Sequence, residues 1–211
     1  MKLSDLIFDR CCRLCDGPVE EGVVCSKCDE YIHNIAKIRT RSIFVDERKI
    51  QAKYLFDYDN SAVKKLLFAL KRNSDKELFE YASRLYCTLI PLDFCGTVTN
   101  VPRRGINIRN AGFDQVAEPC KIMCKKNPTC LEYAKLLKRK GFTKEQKNLT
   151  SSERKRNVSG KFRVKIKDIP KNILIVDDVV TTANTAAECA REILKSEPNA
   201  QIAFIFLASG N

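Results

Sequence analysis

The sequence predicts an α/β fold: a mainly parallel sheet flanked by helices, with a small metal-binding module in front of it. One observation predicts the sheet. Apolar runs of strand length alternate with stretches of helical periodicity, the pattern of strands joined by crossover helices. The clearest such pair is Ile173 to Val176 followed by a helical pattern with Ala187, Ala190, Ile193 and Leu194 on one face. The module is predicted by four of the eleven cysteines, which form two close pairs near the N-terminus.

Taken in chain order, those pairs are Cys12-Arg13-Leu14-Cys15 and Cys25-Ser26-Lys27-Cys28, with Gly17, Pro18 and Gly22 between them for turns. Four thiolates at this spacing can close a tetrahedral Zn²⁺ site, and a site with four protein ligands is structural. Zinc would hold together a segment too short to build its own core. Cys11 leaves the register open by one residue, although the symmetric pairs favour Cys12. The single histidine, His33, reads as a surface or packing residue.

Residues 53 to 58 read as a strand, and 61 to 72 as a helix with Val63, Leu66, Leu67 and Leu70 on its inner face. Ser74 or Asp75 caps a second helix carrying Leu78, Ala82, Leu85, Tyr86 and Leu89. A strand follows at 97 to 101 and stops at Pro102. The next loop carries Arg103, Arg104 and Arg109, placed to meet pyrophosphate or a nucleic-acid backbone; a plain exposed loop would also explain them. A helix is expected from Gln115 to Cys124, a short strand-and-helix unit over 129 to 139, and a last strand from Gln201 to Leu207. In parallel sheets ligands bind beyond the carboxyl ends of the strands, so the loop after 97–101 and the end of 173–176 should meet at one cleft.

At that end lie Asp177 and Asp178, then Val179, Val180, Thr181, Thr182, Ala183, Asn184 and Thr185. A strand that turns into a helix gathers free N–H groups where the helix dipole is positive, which suits a phosphate. Two carboxylates beside it suit ribose hydroxyls or a bridging Mg²⁺. The stretch resembles the phosphoribosyl-pyrophosphate (PRPP) motif of type I phosphoribosyltransferases. The resemblance implies that Asp177 and Asp178 hold the ribose hydroxyls and that Val179 to Thr185 wrap the 5′-phosphate, with Mg²⁺ accompanying PRPP. The family usually has glycine where this chain has Ala183. Alanine there costs free energy if the backbone needs φ > 0, and little if it only approaches the phosphate closely.

The chain carries a net charge of +12, and residues 138 to 167 hold most of the excess: 12 Lys or Arg against Glu145 and Glu153, a net of +10. Lys138, Arg139, Lys140, Lys144, Lys147, Arg154, Lys155 and Arg156 belong to it. Two readings stay open, a solvated surface segment and a contact for a polyanion such as single-stranded DNA or an anionic membrane surface. Phe142 and Phe162 interrupt the run and either stack bases or belong to the core. No run of 18 apolar residues exists and the N-terminus does not read as a signal peptide, so a cytoplasmic location and reduced cysteines are expected.

Over nearly its whole length the chain resembles the ComF family of competence proteins. The resemblance rests on the four cysteines, Leu70-Lys71, the proline-and-arginine loop ending Ala111-Gly112-Phe113-Asp114-Gln115, the series Gln146, Leu149, Glu153-Arg154, Asn157 and Phe162, and the PRPP motif. The family has arginine where this chain has Ala111, and asparagine where it has Asp114. The resemblance implies a zinc-binding module over 1–40 and a phosphoribosyltransferase-like domain over 41–211. It also implies a role in natural transformation: binding single-stranded DNA and assisting its import, from the cytoplasmic side or peripherally at the inner membrane, with a helicase and the membrane channel as partners. The alternatives are an active phosphoribosyltransferase of nucleotide metabolism and a PRPP-sensing regulator.

Overall fold

The computed structural model describes residues 10–140 and 160–210. Six strands form one sheet in the order β1-β2-β8-β7-β3-β4. These are β1 (Arg39–Val45), β2 (Arg48–Asp57), β3 (Gly96–Asn100), β4 (Leu131–Tyr133), β7 (Asn172–Val180) and β8 (Gln201–Ser209). All neighbours run parallel except the β1–β2 hairpin. A separate antiparallel pair joins β5 (Leu137–Arg139) to β6 (Phe162–Val164). The helices are α1 (Ser26–Ile35), α2 (Ser61–Arg72), α3 (Lys76–Cys87), α4 (Gly105–Ala111), α5 (Ala117–Lys126) and α6 (Asn184–Ser196). No helix among the described residues is long and apolar enough to cross a membrane.

The expected α2 boundaries hold because both ends are marked. Asn60 accepts from the N–H groups of Ala62 and Val63 at the start, and Asn73 takes up the Ala69 carbonyl at the end. Asp75, one of the two expected caps, accepts from Glu77 and Leu78 and opens α3. Three expectations need correction. The strand expected at 53–58 is longer, begins at Arg48, and has a hairpin partner in β1. That edge strand buries only Ile43 and Val45, so its apolar pattern is faint. The 129–139 unit contains two short strands and no helix, because the intervening backbone bonds to β3: Ala134 N–H donates to Val98 O and Leu136 N–H to Thr99 Oγ1. The loop after β3 contains the short helix α4, closed by Gly112 at φ 78°.

β7 lies in the middle of the sheet and is buried on both faces. Leu174 and Val176 point into one apolar cluster with α2, α3 and α5. Ile173 and Ile175 point into the other, against α6. This is the two-residue alternation of a strand covered on both sides. Cys12, Leu14 and Ile32 join the first cluster beside Leu66 and Leu78, so the cysteine-rich segment shares its apolar contacts with the helices. On the far side, the buried Glu188 of α6 pairs with Arg191 at 2.6 Å and accepts the N–H of Gly160. Arg191 also reaches Asp46 in the β1–β2 turn, which ties α6 to the hairpin.

β3 is pressed against β7 at its first residue. A Cβ on Gly96 would lie 2.5 Å from the Asn172 carbonyl oxygen, backbone that cannot move without disturbing the ladder. Gly96→Ala should therefore lower stability by about 1–3 kcal/mol in urea unfolding; an unchanged midpoint would contradict this packing.

Candidate functional site

The chain leaves β3 towards β4 at one edge of the sheet and leaves β7 towards β8 in the opposite direction. The crevice between the carboxyl ends of β3 and β7 is therefore the switch point at which open α/β sheets hold ligands. The two expected loops do meet there: Gln115, at the end of the loop after β3, donates from Nε2 to Asp178 Oδ2 at 2.9 Å.

The strand boundary needs correction, however. β7 does not stop at Val176 but runs on to Val180, with Asp177 opposite Phe206, Val179 opposite Ala208 and Val180 opposite Ser209. The acids lie inside the strand, and Val179 and Val180 belong to the ladder. The apolar pattern hid this because β8 continues alongside and supplies backbone partners whatever the side chains are. The turn proper is Thr181 to Ala183, with Asn184 and Thr185 in the first turn of α6. Thr181, Thr182, Asn184 and Thr185 are exposed.

Ala183 settles the question its sequence raised. Its φ is 59°, in the left-handed region, so a residue with a Cβ sits where glycine is favoured, at a cost of about 1–2 kcal/mol. Among the described residues no side chain caps α6, which leaves its first N–H groups without a side-chain partner.

The two acids differ in surroundings. Asp178 faces Lys71 Nζ at 3.5 Å and Gln115 Nε2, and its Oδ1 accepts the N–H of Val179 at 2.8 Å. Asp177 has the N–H of Asp178 at 3.0 Å on its Oδ1. Burial, and after it the charge of Asp178, pushes the Asp177 carboxyl well above its ordinary range. Beneath them the buried Tyr86 hydroxyl donates to the Asp177 carbonyl at 3.1 Å, and burial pushes this phenol well up.

A polar layer supports the crevice. Asn100, at the end of β3, donates to Asp114 Oδ2 at 3.3 Å and accepts from the Tyr133 hydroxyl at 2.7 Å. Asp114 Oδ1 in turn accepts the N–H groups of Val116 and Ala117 and so opens α5. Gln115 has its amide oxygen buried without a partner among the described residues. Lys71, Asn100, Asp114, Gln115 and Tyr133 were not among the candidate site residues. Lys71 and the Asp114-Gln115 pair carried a signal only through the family resemblance; Asn100 and Tyr133 carried none, because only the β3–β4 pairing brings them together.

The arginine loop divides. Arg104 and Arg109 are exposed, at the start and in the last turn of α4, whereas Arg103 is half-buried with Nη1 lacking a partner among the described residues. Arg139 donates to the Pro102 carbonyl at 3.4 Å. Burial and then the charge of Arg104 lower its pKa. Its guanidinium lies 5.1 Å over the Phe162 ring, and Phe162 is fully buried, which settles that residue as core. Lys138 is half-buried and Lys140 exposed. Lys144, Lys147, Arg154, Lys155, Arg156 and Phe142 lie outside the described residues.

In the N-terminal segment the Sγ atoms of Cys12, Cys15, Cys25 and Cys28 lie within 4.8 Å of one another. Cys15 and Cys25 are 3.7 Å apart, close to the ~3.8 Å edge of a tetrahedron with Zn–S bonds of ~2.3 Å. The register falls on Cys12, which is buried, while Cys11 is exposed and bridges to Pro18. Burial opposes ionisation of Cys12, but N–H donors from Cys25, Leu14 and Cys15 outweigh it and bring its pKa to about 7. Burial and the neighbouring thiols push Cys28 up. Four thiols this close cannot all ionise without a cation among them, so the set fits a divalent, thiophilic metal. His33 is exposed and bonded through Nδ1 to the Asp29 carbonyl at 2.9 Å, outside the set.

No family model matches the chain, and no curated protein does. Solved structures similar to it include phosphoribosyltransferases. Two are glutamic acid and glutamine mutants at an invariant aspartic acid in HPRTs, each at 18% identity and TM-score 0.33 over 64% of either chain. This chain thus spans just under two thirds of their length. Adenine phosphoribosyltransferase from Leishmania donovani aligns at 16% identity and TM-score 0.30, over 86% of this chain and 79% of that one. Likeness at this level says nothing of substrate or activity.

Two outcomes follow from the geometry. Purified protein should carry one zinc per chain, released by chelator and more easily at lower pH as thiols reprotonate; metal analysis finding none in folded protein would contradict the tetrahedral set. Asp177, with a raised folded-state pKa, contributes stability that is complete below its unfolded value near 3.8 and is lost as pH rises through the folded one. Asp177→Asn should remove that slope and raise the urea midpoint at neutral pH. An unchanged pH profile would show that the carboxyl is not held protonated.

Proposed function

We propose that the chain binds a ribose 5-phosphate, and PRPP in particular, at the carboxyl end of β7. The observation that carries this is the pairing of two dissimilar carboxylates with an uncapped helix N-terminus at the sheet's switch point. Asp178, held by Lys71 and Gln115, is oriented to accept from a ribose hydroxyl. Asp177, whose carboxyl burial and the charge of Asp178 push towards its neutral form, stands beside it to pair with a second hydroxyl or a cation. Thr181 to Thr185 offer N–H and hydroxyl donors to the 5′-phosphate. Arg103, whose buried Nη1 has no partner among the described residues, and Arg104 stand on the loop that would face the pyrophosphate. Mg²⁺, when bound, would neutralise pyrophosphate charge at these acids.

Calorimetry with PRPP, with and without Mg²⁺, tests this. Replacing Asp177 and Asp178 together by alanine should weaken binding by about 1–3 kcal/mol for each hydroxyl left unpaired; unchanged affinity would rule out the site. Pyrophosphate release with candidate bases would distinguish a phosphoribosyltransferase from a PRPP-sensing regulator.

We infer in addition a ComF-like role, in which the chain binds single-stranded DNA and assists its import from the cytoplasmic side of the inner membrane, with a helicase and channel as partners. Its support is the order of motifs in the sequence and the net +10 of residues 138 to 167. Replacing Arg154, Lys155 and Arg156 by alanine should weaken binding to all single strands alike. It should also flatten the salt dependence by up to about 2 units, at ~0.7 per phosphate contact. A titration at two salt concentrations in which the variant matches the parent would place the contact elsewhere.

A further inference from the structure

α2 is amphipathic in an uncommon way. Its inner face, Val63, Leu66, Leu67 and Leu70, is buried. Its outer face consists of Lys64, Lys65, Phe68, Lys71 and Arg72, all exposed, and residues 61–72 contain no acid. Phe68 is 55% exposed, with the Arg72 guanidinium 4.3 Å from its ring centre. An ordinary solvated face mixes charges and leaves out a large aromatic side chain; this one surrounds an aromatic ring with cations alone.

The face is continuous with two other features. At one end Lys71 reaches Asp178. At the other, Lys64 lies 5.4 Å over the Tyr58 ring and 3.1 Å from Asp59. Tyr58 packs with Thr181 against Gly210, beside the phosphate turn. Asn60, the α2 cap, donates to the hydroxyl of Tyr31, which is 48% exposed. Between α1 and α2 a mainly apolar cavity of about 170 Å³ opens among Leu14, Lys27, Tyr31, Ile32, Ala62 and Lys65, against the cysteine cluster.

We propose that the outer face of α2, extended by Lys27 and Tyr31, is a docking surface for a single-stranded nucleic acid. Lys64, Lys65 and Arg72 take successive phosphates, and Phe68 and Tyr31 receive unstacked bases. Charge complementarity selects a polyanion. Two exposed aromatics along one cationic track select a strand whose bases are free to stack, over a duplex that presents only phosphates. The track runs from Tyr58, beside the Thr181 turn, to Lys71 on Asp178, so a strand lying on it passes along the ribose-phosphate crevice. The inference rests on the single-strand reading above and adds a second contact outside residues 138 to 167.

The test is fluorescence anisotropy with labelled oligothymidine of about 20 nucleotides, at low and moderate salt, on the full chain. Three variants are compared: Phe68→Ala, the triple Lys64→Ala, Lys65→Ala, Arg72→Ala, and the triple at Arg154, Lys155 and Arg156. Thermal melting and ribose 5-phosphate affinity, expected to match the parent, confirm that the α2 variants are folded with the crevice intact. The α2 triple should weaken binding and flatten the salt slope by about 2 units. Phe68→Ala should weaken it about tenfold and leave the slope alone, because stacking releases no counterion. If both α2 variants bind like the parent while the 154–156 triple does not, the α2 surface is wrong and the single-strand reading stands. If the parent binds no oligothymidine, both fall. Loss of binding only to phosphatidylserine vesicles would overturn the proposal in favour of a membrane contact.

Discussion

β7 is the element on which both the core and the site depend. It pairs with β3 on one side and β8 on the other, and Ile173 to Val176 supply apolar side chains to both halves of the core. The same ladder carries Asp177 and Asp178 beyond the last apolar residue without ending the strand. Two carboxylates are thereby held on rigid backbone at the sheet's switch point instead of on a loose turn. Burying a carboxyl there is unfavourable, and the protein answers it differently at each position. Asp178 is given Lys71 and Gln115, whereas Asp177 is pushed towards its neutral form. The unevenness of the pair is a direct consequence of placing it in the middle of a parallel sheet.

The loop after β3 completes the site by being tied down from several directions. Asp114 joins the start of α5 to Asn100, Asn100 takes the Tyr133 hydroxyl, and Gln115 is thereby presented to Asp178. In the same way Arg139 holds Pro102 from the β5–β6 pair, which fixes where the arginine loop begins. The cysteine cluster is linked to the fold by Cys12, Leu14 and Ile32 in the shared core, and by Arg13 bonded to Asp75 at the start of α3. Metal at these four thiols would therefore order a surface that packs on α2 and α3, and not only its own loop.

What could be read from the sequence had local causes. α2 and α3 announce themselves through 3.6-residue periodicity, α3 also through a cap at Asp75, and the cysteine pairs through spacing alone. The acid pair and threonine turn were legible because they stand together in one short stretch between an apolar strand and a helical pattern. What could not be read depends on partners distant in the chain. The extension of β7 to Val180 needs β8 beside it, and β1 is visible only as the partner of β2. Asn100 and Tyr133 meet only after β3 and β4 pair. Ala183 left two readings open, and the backbone decided between them: the left-handed conformation is required, and the chain tolerates alanine in it.

The central claim is that the carboxyl end of β7 holds a ribose phosphate. The most direct measurement is a crystal structure of the protein grown with ribose 5-phosphate and Mg²⁺. The account predicts the phosphate within hydrogen-bonding distance of the N–H groups and hydroxyls of Thr181 to Thr185, and the ribose hydroxyls on Asp177 and Asp178. A crevice that stays empty at saturating ligand, or a sugar phosphate bound elsewhere, would contradict it.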